Sequence, residues 1–252
     1  MSKVIAFAGK GGVGKTTVAT LVVRHLSRNG KTPILAVDAD PNSNLGETMG
    51  LEVPQTIGDI RETYMKDPQG VPSGMDKVNY LEMLVEQALI ERPEFDLLVM
   101  GRQEGQGCYC MVNNILNNFS DKLAASYNYL VVDNEAGMEH LSRRTSGKVD
   151  MLYLVTDYSL RGLRAVKRIY SMLDSLKLDI GELGIIVSRG PAQLGDAFLK
   201  EVAEIGIPMA GIIPDDPALL EFDMARKSLL DLPDDSPSVV AIEAMLKKTV
   251  PA

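Results

Sequence analysis

A glycine-rich octapeptide near the start of the chain is the strongest chemical pattern in the sequence. Residues 9–16, Gly-Lys-Gly-Gly-Val-Gly-Lys-Thr, fit the Walker A pattern G-x-x-x-x-G-K-[ST] in full. The glycines let the backbone turn its N–H groups toward phosphate oxygens, and a helix that starts near Lys15 would add its positive end. Lys15 would neutralise the β- and γ-phosphates, and the Thr16 hydroxyl would ligate Mg²⁺. An ordinary glycine-rich turn is the weaker alternative, because the pattern stands between a predicted strand and a predicted helix. The residues expected to hold the nucleotide here are Gly9, Lys10, Gly11, Gly12, Val13, Gly14, Lys15, Thr16 and Thr17.

Carboxylates follow two of the predicted strands. Asp38 and Asp40 come directly after an apolar run at 33–37, and Asp133 follows another at 129–132. Open parallel sheets bind ligands outside the carboxyl ends of their strands, so these side chains are expected near the phosphates. Asp133 has the Walker B form and is expected to bind Mg²⁺ through a water. An ordinary acidic strand end remains the alternative for Asp38 and Asp40.

The loop after Asp133 is predicted to be a nucleotide-sensing switch. Within residues 134–140, Gly137 supplies the permissive backbone that such a loop needs. Glu139 and His140 could be metal ligands or an acid–base pair. A structural role is the favoured interpretation for both, since no third partner accompanies them in the sequence.

Cys108 and Cys110 are the only cysteines in the chain. Side chains two residues apart point the same way on an extended backbone, so the two thiolates can face one soft metal ion. A disulfide between them would close a very tight ring. Two sulfurs leave a four-coordinate site incomplete, whereas a two-fold dimer brings four together, which suits Zn²⁺, or Ni²⁺ in a flattened geometry. Two ordinary thiols remain the alternative.

The rest of the sequence alternates strand and helix patterns. This alternation predicts an α/β fold of the P-loop NTPase class, with a doubly wound, mostly parallel sheet, helices on both faces, and a single domain over residues 1–252. The polar stretch 42–93 is predicted to be an insertion with one helical patch near 81–90. Strands are predicted at 4–8, 33–37, 97–100, 129–132, 151–155, 183–187 and 209–213, and helices at 17–27, 112–125, 160–176 and 239–246.

Composition narrows the classes of partner. The net charge of −8 argues against a nucleic-acid partner and against a polybasic membrane anchor. The sequence also contains no apolar run long enough to cross a bilayer and no segment that resembles a signal peptide, so a cytoplasmic location is predicted.

Lys10 adds a second lysine to the phosphate loop. With it, residues 9–17 resemble the deviant Walker A motif of the MinD/ParA/nitrogenase iron protein group. The resemblance implies that Lys10 reaches across a homodimer to the nucleotide of the other chain, so that ATP joins two chains and hydrolysis loosens them. It also implies that Asp40 positions or deprotonates the attacking water and that Asp38 supports Mg²⁺ and its waters. A lysine that faces solvent remains the alternative for Lys10.

Base recognition departs from that group. Its members often carry an asparagine after the strand that corresponds to 183–187, whereas this chain has Ser188, which offers fewer hydrogen bonds to a base. Ile-Pro-Asp-Asp at 213–216 resembles the group's second base-contacting loop, which makes Pro214 and Asp215 the expected base contacts. ATP is favoured over GTP because the Asn-Lys-x-Asp tetrapeptide of GTPases is missing.

A more specific resemblance spans essentially the whole chain. The phosphate loop with Lys10, the Asp-Ala-Asp-Pro motif at 38–41, Gly-Cys-Tyr-Cys at 107–110 and Ala-Gly-Met-Glu-His at 136–140 are together similar to CooC-type ATPases. These are maturation factors of nickel-dependent carbon monoxide dehydrogenase, with a close relative for acetyl-CoA synthase. The resemblance implies ATP-driven dimerisation, a nickel or zinc ion held between two subunits, and delivery of nickel to the apo-enzyme.

Two other functions remain open. A cell-organising ATPase of the MinD/ParA kind is expected to carry a basic amphipathic C-terminal helix or a basic DNA-binding surface, and residues 241–248 have little positive charge. An electron donor like nitrogenase reductase would hold an iron–sulfur cluster at its dimer axis. It would also use two cysteines per chain, but well separated in the sequence.

Overall fold

The computed structural model describes residues 2–102, 118–119, 122–135, 148–176 and 178–249. Its strands are β1 (Lys3–Ala8), β2 (Ile34–Ala39), β3 (Ile90–Glu91), β4 (Asp96–Val99), β5 (Tyr129–Asn134), β6 (Lys148–Asp157), β7 (Asp179–Gly190) and β8 (Met209–Pro214). Its helices are α1 (Lys15–Arg28), α2 (Leu45–Thr48), α3 (Ile57–Lys66), α4 (Lys77–Ala88), α5 (Leu160–Leu176), α6 (Asp196–Ile205), α7 (Pro217–Met224) and α8 (Pro237–Thr249), with a 3₁₀ turn at Leu229–Asp231.

In the described part of the chain, all eight strands form one sheet in the order β3-β4-β2-β5-β1-β6-β7-β8. Every neighbouring pair is parallel except β3 with β4. In this sheet, strands β2 to β5 lie on one side of β1, and strands β6 to β8 lie on the other side. Such a doubly wound sheet binds ligands at the carboxyl ends of the strands near the point where the order reverses.

Alternating side chains of the central strands build a core on each face of the sheet. Ile5 and Phe7 of β1 belong to the core that includes α1 and α8. Ala6 and Ala8 belong to the core on the opposite face, which includes α3, α4, α5 and α6. Successive strand side chains point to opposite faces, so strands that are apolar at nearly every position must be covered on both. The predicted mostly parallel sheet with helices on both faces is confirmed.

The prediction of an insertion at 42–93 is wrong. This segment forms α2, α3, α4 and β3, and it contributes the fully buried Ile60 and Leu81 to one core and Leu45 to the other. Helix α3 begins with a capping box, in which the Thr56 hydroxyl accepts from the N–H of Asp59 and the Asp59 carboxylate accepts from the N–H of Thr56. The segment is therefore the packed crossover between β2 and β4, and β3 is its short antiparallel return to the edge of the sheet.

Other helices match the sequence patterns unevenly. Helix α5 has its predicted bounds, whereas the patterns did not predict α6 or α7. Of the helix predicted at 112–125, the described residues 118–119 and 122–124 are helical. Among the helices of the described residues, none is long and apolar enough to cross a membrane.

Truncating Ile60 tests whether α3 belongs to the core. Ile60→Ala removes a fully buried side chain and should lower the free energy of unfolding by about 2–5 kcal/mol. Met65→Ala, on the same helix but 39% exposed, is the matched control and should change it far less. Urea denaturation followed by circular dichroism gives both values. Equal, small effects would mean that the segment is a peripheral insertion after all.

Candidate functional site

The phosphate loop joins the end of β1 to the start of α1. Gly14 precedes the helix in a left-handed conformation (φ +89°), and among the described residues no side chain caps the first turn and no acidic residue occupies it. The N–H groups of that turn are left for an anion, which the helix dipole favours. Gly9 is needed for close packing, because a Cβ at this position would lie 2.2 Å from the Val155 carbonyl oxygen of β6.

The two lysines of the loop differ in exposure. Lys15 is buried, and its ammonium group donates to the carbonyl oxygen of Lys10 at 3.4 Å, which holds its charge against the loop. The side chain of Lys10 is exposed. A buried cation beside free N–H groups suits a bound phosphate, and an exposed lysine can reach a second molecule. The predicted role of Lys10 across a dimer stays a prediction.

Thr16 and Asp133 meet at the carboxyl edge of the sheet. The Thr16 hydroxyl donates to Asp133 Oδ2 at 2.6 Å, although 117 residues separate them in the chain. Strand β5 lies between β1 and β2, and its register sets Asp133 beside Phe7 on one side and Asp38 on the other. Asn134 fixes this corner, since its carboxamide nitrogen donates to the Phe7 carbonyl oxygen at 3.0 Å. Three adjacent strands thus bring the Walker A threonine and two aspartates together.

The two buried aspartates fit the predicted Mg²⁺ site. Burial raises the pKa of Asp133 to about 7, against the opposing effect of the Thr16 hydrogen bond, and burial raises the pKa of Asp38 to about 6. Within the described residues, Asp133 Oδ1 is buried without a hydrogen-bond partner. Such an oxygen is costly unless a cation or a metal-bound water occupies the site. A threonine hydroxyl and a carboxylate are ligands that Mg²⁺ prefers, so Thr16 and Asp133 are suited to hold it, Asp133 through a water.

Asp38 organises the loop that carries Asp40. We call residues 38–45 the switch loop. Asp38 Oδ1 accepts from the N–H of Asp40 at 3.1 Å, and its Oδ2 accepts from the N–H of Leu45 at 2.8 Å. Asp40 Oδ1 in turn accepts from the backbone and side-chain nitrogens of Asn42, both at 2.9 Å. Asp38 therefore acts on its surroundings through the shape of the switch loop as well as through its charge.

The residues predicted to contact the base lie on the β6–β8 side of β1, opposite to the side of Asp38 and Asp133. Ser188 is near the end of β7 and Pro214 ends β8, and these strands are paired. Ser188 is buried, and a Cβ on Gly14 would lie 3.0 Å from its hydroxyl oxygen. Asp215 follows β8 and is exposed. The end of β7 thus lies beside the phosphate loop, and β8 is the next strand in the sheet. The predicted contacts of Ser188, Pro214 and Asp215 with a base stay a prediction.

Asp216 lies in the same loop, but its structural role was not predicted. It is buried, and its carboxylate caps α7 by accepting from the N–H of Ala218 at 3.1 Å. The same carboxylate accepts from the hydroxyls of Ser236 and Ser238 at the start of α8. It thereby fixes the loop that follows β8. The Asp216–Pro217 pair is typical of a helix start, so the sequence did carry a signal for it.

Arg189 was also missed, and the sequence carries no signal for it. Its Nη2 donates to the Gly12 carbonyl oxygen of the phosphate loop at 2.8 Å, across a separation of 177 residues. A contact over that distance leaves no local pattern.

The predicted soft-metal site lies outside the part of the chain that the structure describes. Among the described residues, no group of three or more histidine, cysteine or acidic side chains could hold a metal ion. The predicted residues Cys108, Cys110, Gly137, Glu139 and His140 lie outside the described residues.

Comparison with known proteins identifies the family of this chain. The model of the CobQ/CobB/MinD/ParA nucleotide binding domain matches residues 4–229. This chain belongs to that family. An uncharacterised ATP-binding protein of Methanocaldococcus jannaschii is 40% identical over 249 residues, which cover 98% of this chain and 98% of that protein. The carbon monoxide dehydrogenase accessory protein CooC of Rhodospirillum rubrum is 28% identical over 244 residues, which cover 90% of this chain and 89% of that one.

Solved structures share the fold. The septum site-determining protein MinD of Pyrococcus horikoshii, complexed with Mg-ADP, is similar with a TM-score of 0.71 and 19% identity, and the match covers 100% of this chain and 97% of that one. At this sequence identity, the structural similarity shows a shared fold but does not show a shared function. The predictions of a single-domain α/β P-loop fold and of an ATPase are confirmed.

Removing the charge of Asp133 tests the buried pair. Because burial raises the pKa of Asp133 from 3.8 to about 7, the folded protein without Mg²⁺ holds this proton more tightly than the unfolded chain. The contribution of Asp133 to the free energy of unfolding is therefore highest below about pH 4 and falls as the pH rises to about 7. Asp133→Asn keeps an oxygen that can accept from Thr16. It should reduce the decrease in the free energy of unfolding as the pH approaches about 7. It should also remove the thermal stabilisation that Mg²⁺ adds to ADP.

Thermal and urea unfolding across this pH range give the comparison. Asp174→Asn, which changes an exposed carboxylate on α5, is the control and should follow the wild type throughout. A difference between wild type and Asp133→Asn that stays constant with pH would contradict the raised pKa.

Proposed function

We propose that this protein is a metal-delivering ATPase, in which ATP-driven dimerisation controls a nickel or zinc ion held by Cys108 and Cys110. The client would be apo carbon monoxide dehydrogenase or acetyl-CoA synthase, which receives nickel. The observation that carries the proposal is the Cys-Tyr-Cys sequence at 108–110 in a chain of this ATPase family. The relative from Rhodospirillum rubrum, a carbon monoxide dehydrogenase accessory protein, supports it.

The phosphate chemistry follows from the residues at the carboxyl edge of the sheet. Lys15 and the uncapped N–H groups of α1 would hold the β- and γ-phosphates. Thr16 and Asp133 would hold Mg²⁺, which supplies positive charge to the phosphate oxygens. Asp40 would position the attacking water. Phosphoryl transfer depends mostly on positioning and charge neutralisation, so these groups are sufficient for hydrolysis.

The chain that leads to the cysteines begins beside the switch loop. The N–H of Met100 donates to the Asp38 carbonyl oxygen at 2.9 Å, and the Met100 carbonyl oxygen accepts from the N–H of Gly58 at 2.9 Å. Arg61 of α3 then donates to the Arg102 carbonyl oxygen at 3.1 Å. Residues 100–102 are therefore bound to β2 on one side and to α3 on the other. A change in the switch loop on nucleotide binding would reach the cysteine segment through these hydrogen bonds.

Dimerisation completes both parts of the proposal. Two thiolates from each of two chains make a four-coordinate soft-metal site that one chain cannot make. The exposed Lys10 would reach the nucleotide of the partner chain, so that ATP brings the two cysteine pairs together. Nucleotide state and metal affinity are then coupled, and the coupling is reciprocal.

Lys15→Ala tests the phosphate chemistry. It removes the buried cation of the loop and should lower the rate of ATP hydrolysis at least about 100-fold. Phosphate release under saturating ATP measures the rate, and the melting temperature without nucleotide checks the fold. Lys200→Ala, on an exposed position of α6, is the control and should hydrolyse ATP like the wild type. A Lys15→Ala protein that keeps its activity would disprove the assignment.

Cys108→Ser and Cys110→Ser test the metal site. Each variant removes one of two sulfurs per chain and should abolish stoichiometric binding of Ni²⁺, while the affinity for Mg²⁺–ADP stays unchanged. Equilibrium dialysis against nickel, with light scattering for mass, gives the metal content per dimer, and one ion per two chains is expected. Tyr109→Phe keeps both thiols and is the matched control. Cysteine variants that bind nickel as well as wild type would rule out metal delivery by this pair.

A cell-organising role like that of MinD or ParA is the second candidate. Helix α5 exposes Arg161, Arg164, Lys167 and Arg168, a basic surface on a chain of net charge −8. Such a surface binds DNA phosphates or acidic partners with a strong dependence on salt. ATP-dependent binding to DNA that the cysteine variants retain in full would favour this role over metal delivery. A brown protein after anaerobic purification would favour an iron–sulfur reductase instead.

A further inference from the structure

Arg189 has an unusual backbone conformation at the carboxyl end of β7. Its φ is +51°, in the left-handed region that residues with a Cβ rarely adopt. The pairing of β7 with β8 shifts register between Ser188 and Gly190, so Arg189 lies at the irregularity itself. Such conformations persist where surrounding contacts hold them, and they cluster at functional sites.

The guanidinium of Arg189 binds the phosphate loop. Its Nη2 donates to the Gly12 carbonyl oxygen at 2.8 Å, and Gly12 itself has a left-handed φ of +77°. In a planar trans peptide the C=O and the next N–H point in opposite directions. Holding the Gly12 carbonyl toward Arg189 therefore turns the N–H of Val13 away from the guanidinium. That N–H belongs to the loop whose backbone is expected to bind phosphate.

The residue before Arg189 contacts the same loop. A Cβ on Gly14 would lie 3.0 Å from the Ser188 hydroxyl oxygen, so the end of β7 packs closely against the last glycine before α1. Two consecutive residues of β7 thus meet two glycines of the phosphate loop, Ser188 by contact and Arg189 by a charge-assisted hydrogen bond. This side of the site was expected to bind only the base.

We infer that Arg189 is a positioning residue for phosphate binding, which holds the Gly12–Val13 peptide in the orientation that the β-phosphate requires. The inference rests on the proposed nucleotide site and adds a residue to it. Arg189 contributes to affinity by fixing the loop before the nucleotide arrives, so less loop ordering opposes binding. The left-handed backbone at β7 is the means by which a side chain at a strand end reaches back to the loop.

Arg189→Gly distinguishes the effect of the Arg189 side chain on phosphate binding from any effect of its left-handed backbone. Glycine accepts the left-handed conformation, so the melting temperature without nucleotide should not fall. The affinity for Mg²⁺–ADP should fall about tenfold, the loss of one charge-assisted hydrogen bond at an exposed position. Arg226→Gly is a matched control, because Arg226 is exposed, has the same φ of +51°, and lies after α7 with its N–H donating to the Asp223 carbonyl oxygen. Its affinity should match the wild type.

Salt distinguishes positioning from simple attraction of charge. The affinity difference between wild type and Arg189→Gly should persist in about 1 M salt, where the Debye length is about 3 Å. A difference that vanishes there, or an Arg189→Gly protein that binds Mg²⁺–ADP like Arg226→Gly, would overturn the inference. A wild-type protein that binds no Mg²⁺–ADP would overturn the proposed function itself, and the inference with it.

Discussion

Two carboxylates that lose contact with water on folding set the requirements for the rest of this site. Asp38 and Asp133 are the last but one residues of neighbouring parallel strands, are almost completely buried, and lie next to each other in register. Removing an ionised group from water costs several kcal/mol unless an opposite charge or enough hydrogen bonds compensate for it. The raised pKa values of both groups express that cost. The fold therefore keeps a place where a cation is needed, and a phosphate-bound Mg²⁺ meets that need.

The neighbouring elements are arranged around the same requirement. Helix α1 directs uncapped N–H groups toward the carboxyl edge of the sheet, and the buried Lys15 adds a positive charge beside them. Both carboxylate oxygens of Asp38 accept hydrogen bonds from the backbone of the switch loop. The position of Asp40 therefore depends on the charge state of the buried Asp38–Asp133 pair. From Asp38 a single hydrogen bond leads to Met100, close to the start of the segment that carries the cysteines. The last described residues before the cysteine segment are thus bound to the strand that carries Asp38.

Short sequence patterns predicted those features of the fold and the site that a few neighbouring residues determine. The phosphate loop, the buried strands and the strand-end carboxylates are each encoded within a few residues, because backbone freedom and apolar runs determine them. The segment at 42–93 was misjudged because its helices bury only narrow apolar stripes between polar and proline-rich turns. The Thr56-x-x-Asp59 capping box at α3 was nevertheless visible in the sequence. The contact between Arg189 and Gly12 could not have been predicted, since only the order of strands in the sheet brings these residues together.

Counting protons tests the cation requirement most directly. Burial raises the pKa of Asp133 to about 7, so a cation that enters beside it near this pH should displace protons. Calorimetric titration with preformed Mg²⁺–ADP, in buffers of different ionisation enthalpy, gives the number released. If a cation binds beside the buried carboxylates, net release of protons is expected at about pH 7. The release should fall toward zero at about pH 9, where both carboxylates are already ionised. Tight binding at about pH 7 with no proton release would contradict it.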